Sequence, residues 1–349
     1  MLKKLLTISD ISRILVKLLP LLSFILPIII LYFLDPMVFE KTWKGRIFYI
    51  FFLWLVSLET ILGWEKNKAQ KIKRLRSIRT IAFVLALLLP TIYVVVANFC
   101  GLNDLIVDLA TKNNIVDPWV SAMPLSTEYL VFTALFALII MLEYGIEGLK
   151  SHAISTVFLG TIGALYMIDN VYPNGKFTPF QIIVPTTATL AANLLSFMGY
   201  RIKWYPTIDG MPDLKVTNPQ GTSSARFLIA WPCSGVESLL IYSVTILLFL
   251  KNSTISWKQR IVYFAFGAAV TYFINILRIV TIFIIGINGG DPMAFHDYYG
   301  QLYSITWITS YPLLIIGSRA LWGKIRTNAT IAVDSVPTRQ PQPSQLDSA

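Results

Sequence analysis

RIFYIFFLWLVSLETILGWEKNKAQKIKRLRSIRTIAFVLALLLPTIYVVVAN, residues 46–98, decides the fold. It holds two apolar runs, 46–64 and 80–98, each close to the roughly 20 residues needed to cross about 30 Å of hydrocarbon. Between them stand Lys66, Lys68, Lys71, Lys73, Arg74, Arg76 and Arg79. A connection this basic stays on the cytoplasmic side of a membrane. The stretch therefore reads as a helical hairpin inserted from the inside, and the amino terminus is expected inside as well.

The rest of the chain has the same character. Its 349 residues are 55% hydrophobic and only 14% charged, with a mean hydropathy of +0.63. That leaves too little polar surface to wrap a soluble core. The formal charge of +10 does not point to nucleic acid, because the basic residues cluster between apolar runs as topology signals do. Further runs lie at 15–34, 125–145, 152–169, 233–250, 261–287 and 302–322, which brings the expected spans to eight. The first follows Lys3 and Lys4 and is followed by Asp35 and Pro36, not by a small-residue cleavage site, so it reads as a retained signal anchor.

Segment 99–124 carries Asp104, Asp108 and Asp117 against a single Lys112 and falls outside. Lys251, Lys258 and Arg260 mark an inner loop, and Lys324 and Arg326 an inner carboxyl terminus. With both ends inside, the number of spans is even. A ninth run, 179–199, interrupted by Thr186, Thr187, Thr189, Asn193 and Ser196, would break that parity, so it is expected to be interfacial or re-entrant and to cover a site. Segment 200–232, with Ile202, Trp204, Leu214 and Val216 between polar neighbours, is expected outside as a small hairpin.

The expected fold is thus an all-α polytopic membrane protein of about eight transmembrane helices, with one interfacial or re-entrant helix and a small outer-face hairpin. Four regions follow: five spans in 1–178, the interfacial helix and outer loop in 179–232, a three-span region in 233–323, and a polar, Pro-rich disordered tail in 324–349.

Three residues that are costly in a membrane stand at or near helix ends in the last third: Cys233, Arg278 and His296. Cys233 is 17 residues before Leu250, and Arg278 is 17 residues after Ile261. At about 1.5 Å per residue both stand roughly 26 Å above the cytoplasmic boundary. His296 comes out about 10 Å higher on the same rise. Pro232, Cys233, Ser234 and Gly235 read as a helix start, where unpaired N–H groups and the dipole favour a thiolate. Cys100 lacks that context and is read as structural. Arg278 costs about 2.5–3.5 kcal/mol at a helix centre, and Glu237 is its expected partner. Asp297 adjoins His296, but adjacent residues on an α-helix point apart, so it is not expected to orient the ring.

These residues supply a nucleophile, a proton carrier and a fixed cation. Ser234 and Gly235 N–H groups are further candidate oxyanion donors. Two His and two Cys far apart make a poor metal set, and no cofactor is expected. Two other readings stand beside this one: a transporter with Glu237, Arg278 and His296 lining a polar path, for which paired hydropathy repeats are lacking, and a non-catalytic scaffold.

The ordered set Pro232-Cys233-Ser234-Gly235, Asn275-x-x-Arg278, and His296-Asp297 followed by Gly300 resembles the exosortase and archaeosortase family, over about residues 179–322. The resemblance implies a membrane-embedded cysteine transpeptidase with Cys233, Arg278 and His296 catalytic and Ser234, Gly235, Glu237, Asn275 and Asp297 in support. It implies substrates that are secreted surface proteins bearing a carboxyl-terminal motif, a transmembrane helix and a basic tail. They would be cut on the outer face of the cell membrane, with a lipid or other acceptor taking the new carboxyl end. Pro232 leans toward the archaeal branch.

Overall fold

The computed structural model describes residues 8–62, 78–173, 176–253, 255–300 and 302–334. The basic residues from Lys66 to Arg76, which set the expected orientation, lie outside these, as does the tail beyond Asp334. The chain forms two units, 1–309 and 310–349.

All eight apolar runs fold as helices. They are α1 (Ile8–Leu34), α3 (Phe48–Leu62), α4 (Ile78–Phe99), α6 (Met123–Ser151), α7 (Ala153–Val171), α10 (Val236–Asn252), α11 (Trp257–Ile287) and α13 (Leu302–Asp334). Short α2 (Pro36–Glu40) and amphipathic α5 (Leu102–Lys112) fill two connections. The expected count of eight spans is not reproduced by length and apolarity. Among the described residues five helices are long and apolar enough to cross: α4, α6, α7, α11 and the stretch Pro179–Phe197, while Leu18–Leu34, Phe48–Ile61 and Val236–Leu250 are shorter. Helix α13 runs through Asp334, into the stretch expected to be irregular. No Pro or Gly interrupts residues 324–334, and the next Pro is Pro337.

Helices α1, α3, α4 and α6 meet in an aromatic cluster. The Phe24 ring stands edge-on to Phe52, Phe132 and Phe136 at 5.5, 5.3 and 5.7 Å, contacts worth about 0.5–1.5 kcal/mol each beyond area burial. Helix α7 is the most enclosed of the candidate spans. It approaches α6 closely because Gly160 and Gly163 face it. A Cβ on Gly163 would come 2.9 Å from that of Tyr129, the small-residue device of membrane helix pairs. The open N–H groups at the start of α7 are capped from another helix. Glu59 of α3 accepts from Ile154 N–H at 2.8 Å, Ser155 N–H at 3.1 Å and Ser155 Oγ at 2.5 Å, satisfying donors that no helix satisfies internally.

The ninth run forms α8 (Thr178–Gln181) and α9 (Val184–Phe197). It has the length and apolarity to cross, but its neighbours lie along one half of α11. Thr187 meets Tyr272, and past the end of α9 Gly199 meets Pro219 in the loop whose Ser223 bonds the carbonyl of Ile287 at the end of α11. Helix α9 therefore runs beside the carboxyl-terminal half of α11.

The expected hairpin is a three-stranded antiparallel sheet: β1 (Arg201–Ile208), β2 (Met211–Thr217) and β3 (Ser224–Leu228), in that order. The third strand forms because Asn218 Oδ1 accepts from Thr222 and Ser223 N–H at 2.9 and 3.2 Å, reversing the chain. Ala225 and Phe227 then alternate inward, with Phe227 at 5.1 Å from Phe283 of α11. On the outer face Lys203, Lys215 and Arg226 stand in one row across all three strands. Arg226 is relieved by Asp213 at 2.5 Å and by the Tyr205 ring at 4.0 Å. Strand β3 leads directly to Cys233.

Candidate active site

A 3-10 turn, Trp231–Cys233, ends β3 and presents the thiol. Pro232 supplies the turn's fixed φ. Trp231, fully buried, is pinned by Phe180 of α8 at 5.0 Å. Helix α10 begins only at Val236, after Gly235 with φ +92°. A side chain at Gly235 would be strained there and would also bring a Cβ to 2.9 Å from Asn275 Nδ2. That closeness is used, because Asn275 Nδ2 donates to the Cys233 carbonyl at 3.1 Å. Thr187 of α9 donates to the Ser234 carbonyl at 3.0 Å and shares a 2.8 Å bond with Tyr272. The Cys233 turn is thus held by α9 and α11. Ser234 N–H is committed to the Trp231 carbonyl at 3.1 Å, which removes it as an oxyanion donor.

Beyond Ile287 the chain reverses through Gly289, φ +75°, and returns through α12 (Pro292–Ala294) and a single π-turn, Phe295–Tyr299. This descent removes the height mismatch expected for His296. Its Nε2 lies 3.1 Å from Cys233 Sγ. Its Nδ1 lies 3.0 Å from Asp297 Oδ1, contrary to the expectation that Asp297 would point away. In the wider π-turn, adjacent side chains diverge less than on an α-helix.

Burial raises the Cys233 pKa, but the charge and hydrogen bond of His296, with Arg278 adding, outweigh it and the thiol is lowered overall. Burial likewise pulls His296 down, and Cys233 and Asp297 overcome it, raising the imidazole to about 9. The pair is therefore set up as thiolate and imidazolium.

Arg278 is 4% exposed, and none of its three nitrogens has a hydrogen-bond partner among the described residues. The expected Glu237 pair is not formed. Glu237, the second residue of α10 and 1% exposed, is an electrostatic neighbour of Lys44, after Asp169. Arg278 has room because of Gly300, where a Cβ would lie 2.5 Å from Nε.

Sequence reasoning missed the opposite wall. Lys44 Nζ lies 2.7 Å from Asp169 Oδ2 and 2.6 Å from Asn170 Oδ1, and Trp43 stands edge-on to His296 at 6.2 Å. Asp169 offered a signal, as an acid inside an apolar run, whereas Trp43 and Lys44 lie outside the runs and offered none. A cavity of about 650 Å³ lies between the two walls, lined by Trp43, Lys44, Trp119, Asp169, Cys233 and His296 among others. Among the described residues no group of three or more His, Cys, Asp or Glu is arranged to hold a metal ion.

The model of a known family, the transmembrane exosortases, matches residues 42–311, well over half of the chain. No curated protein and no solved structure matches significantly. The chain belongs to the transmembrane exosortase family, membrane-embedded cysteine-type transpeptidases that act on secreted proteins bearing carboxyl-terminal sorting signals.

Proposed function

We propose that Cys233, His296 and Arg278 are the catalytic residues of a sorting transpeptidase working on the outer face of the membrane. The observation that carries this reading is the 3.1 Å contact between Cys233 Sγ and His296 Nε2. The thiolate attacks the scissile carbonyl, and the negative charge moves to its oxygen, where Arg278 stabilises it in a site sheltered from water. As the carbon–nitrogen bond breaks, the His296 imidazolium gives its proton to the leaving amine, leaving a thioester and neutral imidazole. The imidazole then takes a proton from the acceptor nucleophile, which displaces the thiolate. Asp297 holds the ring through Nδ1. Asn275 and Gly235 shape the Cys233 turn, and Glu237 balances charge behind it.

The substrates of this reading carry a short motif, a transmembrane helix and a basic tail, and the acceptor is a membrane lipid or another nucleophile of the envelope. Pro232 before the nucleophile favours the archaeal branch. The test is Cys233→Ala expressed with a tagged precursor of this kind. Full-length precursor is expected to accumulate, and normal processing would overturn the proposal.

A further inference from the structure

Three donors from one loop converge on a single carbonyl. The acceptor is the Asp297 oxygen, and Thr42 N–H lies 2.6 Å from it, Thr42 Oγ1 2.9 Å and Trp43 N–H 3.2 Å. A carbonyl oxygen has two lone pairs, so this one is fully occupied. All three donors come from some 255 residues away in sequence. They tie the residue that already holds His296 through its carboxylate.

The donor loop is itself braced. Arg46 makes two 2.8 Å bonds to Glu128 of α6, and Tyr129 of the same helix donates to the Gly45 carbonyl at 2.7 Å. Lys44 is anchored to Asp169 and Asn170 of α7 and adopts φ +46°, a conformation uncommon outside glycine and sustained only where surroundings over-determine it. The acceptor side has fewer braces among the described residues, chiefly Gly300 packed against Arg278. The π-turn contains no buried residue, and Gly289 and Gly300 flank it. Its placement has to come from contacts made to it.

We propose that Thr42 is a positioning residue, which holds the Asp297 carbonyl and so fixes the π-turn where His296 Nε2 meets Cys233 Sγ. The inference rests on the thiol–imidazole pairing of the proposed function. Thr42 touches no reacting atom and acts through Asp297 and His296. The charged groups facing the pair are Asp297 on its own turn, Arg278 on α11, Asp169 on α7, Glu237 on α10 and Lys44 from the loop. Thr42→Val alters none of them. A change in thiol titration in that variant therefore reports the geometry of the pair.

The experiment needs no substrate. In the full chain carrying Cys100→Ser, the rate of Cys233 alkylation by iodoacetamide is followed against pH for Thr42, Thr42→Val, Thr42→Ser and His296→Ala, with melting temperatures alongside. Thr42→Val is expected to move the alkylation midpoint upward by about half a unit to one unit, toward that of His296→Ala. Its rate at neutral pH is expected to fall about fivefold, and Thr42→Ser to restore both. A Thr42→Val protein that melts lower but titrates like the parent, while His296→Ala shifts, overturns the positioning role and leaves the pairing intact. If His296→Ala also titrates like the parent, the pairing itself falls and the proposal falls with it.

Discussion

Arg278 and Gly300 are in such close contact that a single methyl group cannot be placed between them, since a Cβ at Gly300 would lie 2.5 Å from Nε and 3.1 Å from Cζ of the guanidinium. Gly300→Ala is therefore expected to push Arg278 aside, and, because the same Cβ would lie 2.8 Å from the His296 carbonyl oxygen, to load the His296 turn as well. A displacement near 1 Å at a reacting centre costs about 10²-fold in rate. Single-turnover precursor cleavage should fall by about that factor or more, with a smaller loss in Cys233 alkylation. Equal loss of both would show that the whole site had collapsed.

Gly235 and Asn275 are expected to be coupled. Gly235→Ala combines a left-handed φ of 92° with a 2.9 Å clash against Asn275 Nδ2, and a non-glycine residue held in that region costs about 1–3 kcal/mol. Asn275→Ala removes the Nδ2 and Cγ contacts but leaves its Cβ at 3.1 Å and the backbone strain. Thermal melting of both single variants and the double variant should show the double less destabilised than the sum of the singles.

The pH profile of processing should be bell-shaped. On the acid side activity appears as the lowered Cys233 thiol ionises, below the ordinary thiol range. On the alkaline side it disappears as His296, raised to about 9, loses the proton that the leaving amine needs. Because Asp297 contributes to raising His296, Asp297→Asn should move the alkaline limb toward lower pH. Measured kcat/KM against pH checks both limbs, and an unmoved alkaline limb would remove Asp297 from the site.

Lys44 and Asp169 form an enclosed pair, 16% and 6% exposed at the side chain. Removing one partner from such a pair costs about 3–5 kcal/mol because the other charge is left buried. Lys44→Met should therefore destabilise the protein more than Lys44→Met with Asp169→Leu. Denaturation of the two variants side by side measures the difference, and equal melting temperatures would argue against a buried pair.

Cys233 and Arg278 could be read from the sequence because an apolar run is a ruler. Equal offsets along the two runs put them at one level, and Asn275, one turn before Arg278, reaches the Cys233 carbonyl. The ruler does not extend past Ile287. The reach of His296 depends on a reversal at Gly289 and on a π-turn, neither of which leaves a periodic trace in composition. The π-turn is also why Asp297 meets its neighbour's ring against α-helical expectation. Thr42 and Lys44 were invisible for another reason. They lie in a short polar connection, and their partners are Asp297 and Asp169, more than a hundred residues away. The third strand was missed although Ala225 and Phe227 alternate, because the five residues of β3 fit a loop as well as a strand.

The Arg278 guanidinium, without a hydrogen-bond partner among the described residues, has a consequence for which part of a substrate can approach it. A second positive charge brought within about 4 Å of it meets a repulsion of about 4 kcal/mol at the effective dielectric of a protein's margin. Under the proposed function the sorting signal carries its positive charge at one end only. On that reading a basic tail is disfavoured beside Arg278, whereas the motif at the other end of the signal is not.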